Sequence, residues 1–239
     1  MLVFKYVIPI SLLFSSIIGY AQSLWTSVEA KYEFVKKFSA SLEGEYRTGN
    51  KFSSTDRWTI GLGVNYKVIP YLKLDGGYKF IDKYIGERIT SKGNIVDAYW
   101  QPRHRAWFSI AGEYKWHRFS FSLRERYQFT HNKSMFVKKT DAQGNPKTDE
   151  YIQGKDRNVL RSRVKVDYSF NKIGFKPYLS AEVYNKLKKF RYNKTRLTVG
   201  TEYKFNNHNR VEVFYRYIDQ SDQDEEKGNV IGVGYQFKF

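Results

Sequence analysis

The sequence predicts an all-β protein, an antiparallel transmembrane up-and-down β-barrel of 10–12 strands with short periplasmic turns and long extracellular loops. Three observations predict it. From Leu24 onward apolar residues recur at every second position, the period of a strand and not of a helix. The polar half of nearly every run is heavily charged, while the apolar half is almost free of charge. Aromatics, 18% of all residues, gather at the ends of the apolar faces and leave aliphatics in the middle, as in a wall that meets hydrocarbon between two interfacial belts. A soluble barrel folded around a ligand would share the period but turn its apolar face inward.

The N-terminus reads as an export signal. Lys5 supplies the positive start, Tyr6 to Ile18 a short apolar run, and Gly19-Tyr20-Ala21 the small residues inspected at cleavage, so residues 1–21 are expected to be removed and 22–239 to form the barrel. The run is short of the roughly 20 apolar residues that a membrane helix needs. No other stretch reaches that length, so a mature chain that enters a membrane must do so as a closed barrel.

Eleven runs follow in order: Leu24–Phe34, Phe38–Arg47, Arg57–Tyr66, Leu72–Phe80, Arg105–Tyr114, Phe119–Phe129, Leu160–Phe170, Leu179–Tyr184, Arg196–Phe205, Val211–Tyr217 and Ile231–Phe239. Trp58, Leu62 and Tyr66 show the aromatic–aliphatic–aromatic order along one apolar face; Phe108, Ile110 and Tyr114 show it along another. Glu125 breaks the pattern, falling on the apolar face between Leu123 and Tyr127; a bulge, an oligomer contact or a headgroup-level position would each explain it. Connections alternate in length. Short ones stand at 35–37, 67–70, 115–117, 171–175 and 206–209, and long ones at 48–56, 81–104, 130–158, 185–194 and 218–229. Eleven runs conflict with the even strand number usual in single-chain bacterial barrels. The conflict sits at Leu24–Phe34, which would start outside the cell and could not pair antiparallel with the last strand.

The charges alternate into the interior. Arg47, Arg57, Arg105, Arg124, Arg126, Arg161, Arg163, Arg196 and Arg216 share that face with Asp75, Glu113, Glu182, Glu202 and Glu212. Arg–carboxylate forks can fill a narrow barrel with a satisfied network. The same face, in a chain of formal charge +17, could instead form a basic passage for small anions. Small barrels are usually filled by side chains, which favours the network. Interior glycines at 61, 63, 77, 200, 232 and 234 either leave room beside long side chains or serve strand curvature. Lys and Arg are spread along the chain instead of clustering on a helix or tail, so nucleic acid is not an expected partner.

Catalysis finds little support. The chain has four histidines; only His104 lies at a strand end near the expected outer surface, and no Gly-x-Ser-x-Gly elbow accompanies it, so an outer-membrane lipid-acting hydrolase is the alternative with the weaker basis. No His/Asp/Glu cluster has metal-ligand spacing, the chain has no cysteine, and no cofactor is expected. A further alternative is surface ligand or partner binding through the loops at 81–104 and 130–158. In the second, Asp141-Ala142-Gln143-Gly144-Asn145-Pro146 reads as a mobile turn amid charges of both signs.

Leu24-Trp25-Thr26, His104-Arg105, Leu123-Arg124-Glu125-Arg126, the strand opening at Pro177 to Glu182 and the aromatic closing strand occur in an order that resembles the bacterial outer-membrane proteins catalogued as "domain of unknown function 2490". The resemblance covers essentially the whole mature chain. It implies a barrel of no established activity in the bacterial outer membrane and brings no catalytic residues. It also implies contact with outer-membrane lipid and lipopolysaccharide, and recognition of the strand ending at Phe239 by the barrel-assembly machinery.

Overall fold

The computed structural model describes residues 21–170 and 174–239. Met1 to Tyr20 of the expected signal and residues 171–173 of the connection expected at 171–175 lie outside the described residues. The chain forms β1 (Ser23–Val35), β2 (Phe38–Gly49), β3 (Ser54–Ile69), β4 (Leu72–Ile85), β5 (Arg88–Ile89), β6 (Ile95–Val96), β7 (Tyr99–Trp116), β8 (Phe119–Asn132), β9 (Met135–Thr140), β10 (Pro146–Ile152), β11 (Lys155–Tyr168), β12 (Phe175–Lys186), β13 (Arg191–Lys204), β14 (Asn209–Ile218) and β15 (Gly228–Lys238).

Eleven of these close into a barrel in the order β1-β2-β3-β4-β7-β8-β11-β12-β13-β14-β15, with β15 returning to β1. Among the described residues ten seams are antiparallel and the closing one is parallel, from Ser23 opposite Val230 to Lys31 opposite Lys238. An odd number of up-and-down strands leaves the first and last running the same way, so a parallel ladder is the one form in which β1 can join β15. The backbone continues the pairing past both ends: Gln22 N–H donates to the Asn229 carbonyl at 2.8 Å, and Phe239 N–H to that of Lys31 at 2.9 Å. The run at Leu24–Phe34 is therefore a full wall strand, and the all-antiparallel expectation is corrected at this seam. A parallel ladder is slightly weaker per residue than an antiparallel one. Leaving two strand edges open in hydrocarbon would cost several kcal/mol for each unpaired group. Closure therefore wins by a wide margin.

The pleat sorts the side chains as the alternation requires. Val28, Leu42, Ile60, Leu62, Phe108, Leu123, Val164, Leu179, Leu197 and Val199 stand exposed on the outer face. At the short-turn end the rings form a near-continuous belt, with contacts running from Phe239 through Tyr32 and Phe34 to Phe38 and Tyr66, and again from Trp116 through Phe119, Tyr168 and Phe170 to Phe175. Trp58–Phe80 and Tyr84–Trp100 contacts mark the opposite girdle.

The strands run further than the alternation shows. Beyond the greasy belt both faces turn polar, the period fades and the ladder continues, so β7 reaches 18 residues and β3 reaches 16. Two connections expected to be long shrink accordingly, to residues 50–53 and 187–190. The loops at 81–104 and 130–158 are also partly strand: their β5, β6, β9 and β10 form a separate four-stranded sheet above the loop end, with Val96 and Val137 buried in it. The turn at 141–145 is the tip of the β9–β10 hairpin. The Asp141 carboxylate accepts the backbone N–H groups of Gln143 and Asn145 at 3.0 and 2.8 Å, and Gly144 supplies the positive φ of +86°.

The interior glycines leave room for inward rings. Trp107 lies across Gly77 and Phe214 across Gly232, so that a Cβ at either glycine would overlap ring atoms, and at Gly77 the Leu62 carbonyl oxygen as well. Replacing Gly232 with valine is expected to overpack this contact and cost about 1–3 kcal/mol. The midpoint of urea unfolding in detergent should drop accordingly, and adding Phe214→Ala to Gly232→Val should recover part of the loss.

Candidate functional site

The lumen is organised from the loop end downward. Residues 219–227, between β14 and β15, turn into the barrel mouth. A tight turn shapes this loop: the Asp222 carboxylate accepts the N–H groups of Asp224 and Glu225 at 2.9 and 2.8 Å, and Asp222 N–H donates to the Glu225 carbonyl at 2.8 Å. Its carboxylates thereby point at cations drawn from strands around the wall. Asp224 pairs with Arg103 at 3.1 Å and with Arg105 and Arg157 at 2.8 Å. Glu225 pairs with Arg47 at 2.8 Å, Lys194 at 2.9 Å and the Arg196 fork. Asp222 takes Lys194 at 2.9 Å and the Asn193 amide at 2.7 Å, and the Lys83 ammonium donates to the Asp224 carbonyl at 3.0 Å. Cations of β2, β4, β7, β11 and β13 thus clasp one acidic plug.

The pairing carboxylates of the plug are sheltered, with Glu225 6% exposed. Burial pushes the Asp224 and Glu225 carboxyls up. The cations around them, Arg105 and Arg157 foremost for Asp224 and Arg196 and Lys194 for Glu225, reverse this and hold both well below the usual carboxylate range. Such ion pairs tolerate desolvation only when each charge has several partners, as these do.

Beneath the plug Trp25 packs with Ile218 and Val230, and Phe214 joins that cluster. The Arg47 guanidinium lies 3.5 Å above the Trp25 ring. Around the middle of the lumen Glu182 is shared. Arg161 donates to it, with Arg124 at 3.4 Å, Arg196 at 3.5 Å and Arg163 at 4.0 Å. Arg126 reaches Asp75 at 2.8 Å, and the Trp107 indole N–H donates to the same carboxylate at 3.2 Å. Arg216 donates to Thr198 Oγ1 at 2.9 Å, and Glu212 accepts the Tyr178 hydroxyl. Towards the short turns, Glu113 pairs with Lys73 at 2.8 Å, and Glu202 with Lys165 at 2.8 Å and Arg210 at 3.0 Å. Arg57 pairs within its own strand, with its chain neighbour Asp56 at 2.8 Å.

Eleven of the fourteen residues expected on the inner face fall into three groups, the first two joined through Arg196, which reaches both Glu225 and Glu182; Arg57, Glu212 and Arg216 stand beside them with Asp56, Tyr178 and Thr198 as partners. Arg47, Arg105 and Arg196 hold the plug. Arg124, Arg126, Arg161 and Arg163 crowd the mid-lumen around Glu182 and Asp75. Glu113 and Glu202 belong to the turn-end mouth. Sequence reasoning passed over the plug itself, along with Lys83, Arg103, Arg157 and Lys194. A signal was present: residues 219–226 hold five acidic residues in a chain that is otherwise strongly basic. Between these groups lies a cavity of about 380 Å³ lined by thirteen Lys and Arg side chains and seven carboxylates, three of which come from the plug.

Outside the lumen, the His104 ring nitrogen Nδ1 lies 2.5 Å from the Tyr78 hydroxyl, where a hydrolase would require a serine. His131, across the strand from His104, pairs instead with Asp156 at 2.6 Å. No group of three or more His, Cys, Asp or Glu among the described residues could hold a metal ion. Glu125 sits in unbroken register with both neighbouring strands, which removes the bulge explanation, and its carboxylate accepts the Ser162 hydroxyl at 2.6 Å.

A closed barrel, apolar outside and ionised within, is the architecture of porin-like membrane proteins. The chain belongs to the family described as protein of unknown function (DUF2490), whose model matches residues 22–229. No curated protein matches it. Among solved structures it is similar to a NanC porin at 16% identity and a TM-score of 0.53, covering 92% of this chain and 100% of that one. It is likewise similar to the translocator domain of the autotransporter NalP from Neisseria meningitidis, at 15% identity and a TM-score of 0.59, covering 87% of this chain and 77% of that one. At these identities the likeness is one of fold.

The plug should respond to loss of a single charge. Glu225→Gln leaves Arg47, Lys194 and Arg196 facing a neutral amide and should weaken loop docking by about 3–5 kcal/mol. Limited proteolysis in detergent is expected to cut within 219–227 in this variant and to spare the parent. Because carboxyls held low contribute stability above the ordinary carboxylate range, and lose it only as pH falls through their lowered values, the parent loop should stay protected from neutral pH through mild acidity.

Proposed function

We propose that this chain is an outer-membrane barrel that admits small anions to a basic lumen and is closed at its loop end by the acidic segment 219–227. The plug carries this reading: a basic interior that binds its own carboxylates so closely is suited to exchange them for those of a solute. Two further features support it. The cavity is lined by more cations than carboxylates, which raises the local concentration of anions. Exposure also changes along the axis: Lys194 and Arg57 at the plug are 1% and 2% exposed as side chains, whereas Lys73 and Arg210 near the short turns are 43% and 45% exposed. Side chains at the short-turn mouth are thus more open to solvent than those at the plug. By the usual orientation of such barrels that mouth faces the periplasm and the plug faces outward. The apolar belt would be immersed in outer-membrane lipid and lipopolysaccharide, and the closing strand ending at Phe239 would be read by the assembly machinery.

Planar-bilayer recording tests the passage. The parent should show small, anion-preferring events, and a variant carrying Asp222→Asn, Asp224→Asn and Glu225→Gln should conduct more and keep the anion preference. Silence from both proteins, or preference for cations, would exclude the proposal. Sidedness has its own test, made clean by the absence of cysteine. Because β1 starts at the plug end, Gln22→Cys should react with an impermeant maleimide on intact cells. Asn207→Cys, in the short turn between β13 and β14, should react only after permeabilisation.

A further inference from the structure

The plug neutralises the loop end of the lumen, but in the middle the guanidiniums outnumber the carboxylates that pair with them. Arg124 stands directly opposite Arg163 on adjacent strands, and Arg126 directly opposite Arg161. Like charges in register destabilise a sheet, and here two such pairs are stacked one above the other on the inward face. Two carboxylates serve the four: Glu182, which Arg196 also claims, and Asp75, which meets Arg126 alone of the four. Arg163 approaches Glu182 only at 4.0 Å. The Nε groups of Arg124, Arg161 and Arg163 are buried without a hydrogen-bond partner, although buried donors are nearly always satisfied. The cavity lies against these side chains. The cluster thus presents unused guanidinium donors, two more cations than the two carboxylates that pair with them, and adjoining space; Glu212, on the same cavity wall, is engaged by the Tyr178 hydroxyl instead.

We propose that these four arginines form a binding site for a divalent oxyanion, a phosphate or dicarboxylate group on a small solute. Guanidinium forks match the planar, bidentate oxygens of such groups. A charge of two minus balances the surplus, which chloride or a monocarboxylate does not. The site deepens the anion-passage reading and rests on it for its biological role, yet it is testable without any conductance. In a passage it would be the point at which the solute pauses and at which divalent oxyanions are separated from simpler anions.

Calorimetric titration of the mature full-length barrel in detergent at low ionic strength tests the site, with inorganic phosphate and malonate as separate probes and acetate and chloride as comparisons. The expected result is saturable, one-to-one binding of phosphate, of malonate or of both. Whichever probe binds identifies the group that the site takes. Acetate and chloride should bind at least about tenfold more weakly, as befits the loss of charge-assisted bidentate contacts. The Arg124→Gln, Arg163→Gln double variant should lose at least about tenfold in affinity. Arg163→Lys keeps the charge but not the fork and should fall in between, and it serves as the reporter if the double variant does not fold. Arg118→Gln, at an exposed turn, should bind as the parent does. No saturable binding of either divalent probe would overturn the site. So would parent-like affinity in the folded Arg124→Gln, Arg163→Gln double variant, or chloride binding as tightly as phosphate. Saturable binding without bilayer conductance would uphold the site while ending the passage reading, and anion conductance without saturable binding would do the reverse.

Discussion

The ladder between Ser23–Lys31 and Val230–Lys238 completes a ring of backbone hydrogen bonds, and the rest of the molecule depends on that completion. In hydrocarbon no water can satisfy an edge strand, so the sheet must close on itself whatever the direction of its last two strands. Once it is closed, the pleat has a fixed inside and outside. Every second residue is committed to lipid and the remainder to an enclosed space too narrow to hydrate so many charges freely.

The interior answers that confinement in two ways. Near the loop end the chain supplies its own counterions by folding Asp222, Asp224 and Glu225 down among Arg47, Arg105, Arg157, Lys194 and Arg196. In the middle it does not, and Arg124, Arg126, Arg161 and Arg163 face one another across a single seam with two carboxylates between them. The choice between a self-satisfied network and a basic passage thus divides by position along the axis: a network at the plug, and guanidiniums in excess of their paired carboxylates beneath it. Inward rings complete the filling, with Trp107 and Phe214 occupying the room that Gly77 and Gly232 leave.

The outer wall keeps a few polar side chains of its own. His104 and His131 stand near the loop-end girdle, where their partners are the Tyr78 hydroxyl and the Asp156 carboxylate. Glu125 remains the one carboxylate among the aliphatics of its face, held by the Ser162 hydroxyl across the seam.

Much of this fold was legible in the residues alone. Period-two alternation marks each wall strand from Leu24–Phe34 to Ile231–Phe239, and it assigns Arg47, Glu182, Arg196 and their companions to the interior, because a pleat repeats every two residues wherever it is placed. What alternation could not convey is how strands far apart in the chain stand to one another. Only the closed sheet decided that β1 runs parallel to β15, that Arg124 meets Arg163 and Arg126 meets Arg161, and that Glu182 is shared among several guanidiniums. These are matters of register between strands, to which a one-strand period is blind. The plug was hidden for a related reason: residues 219–227 have no period at all, and their acidic character gains meaning only where the barrel gathers cations from five strands around them.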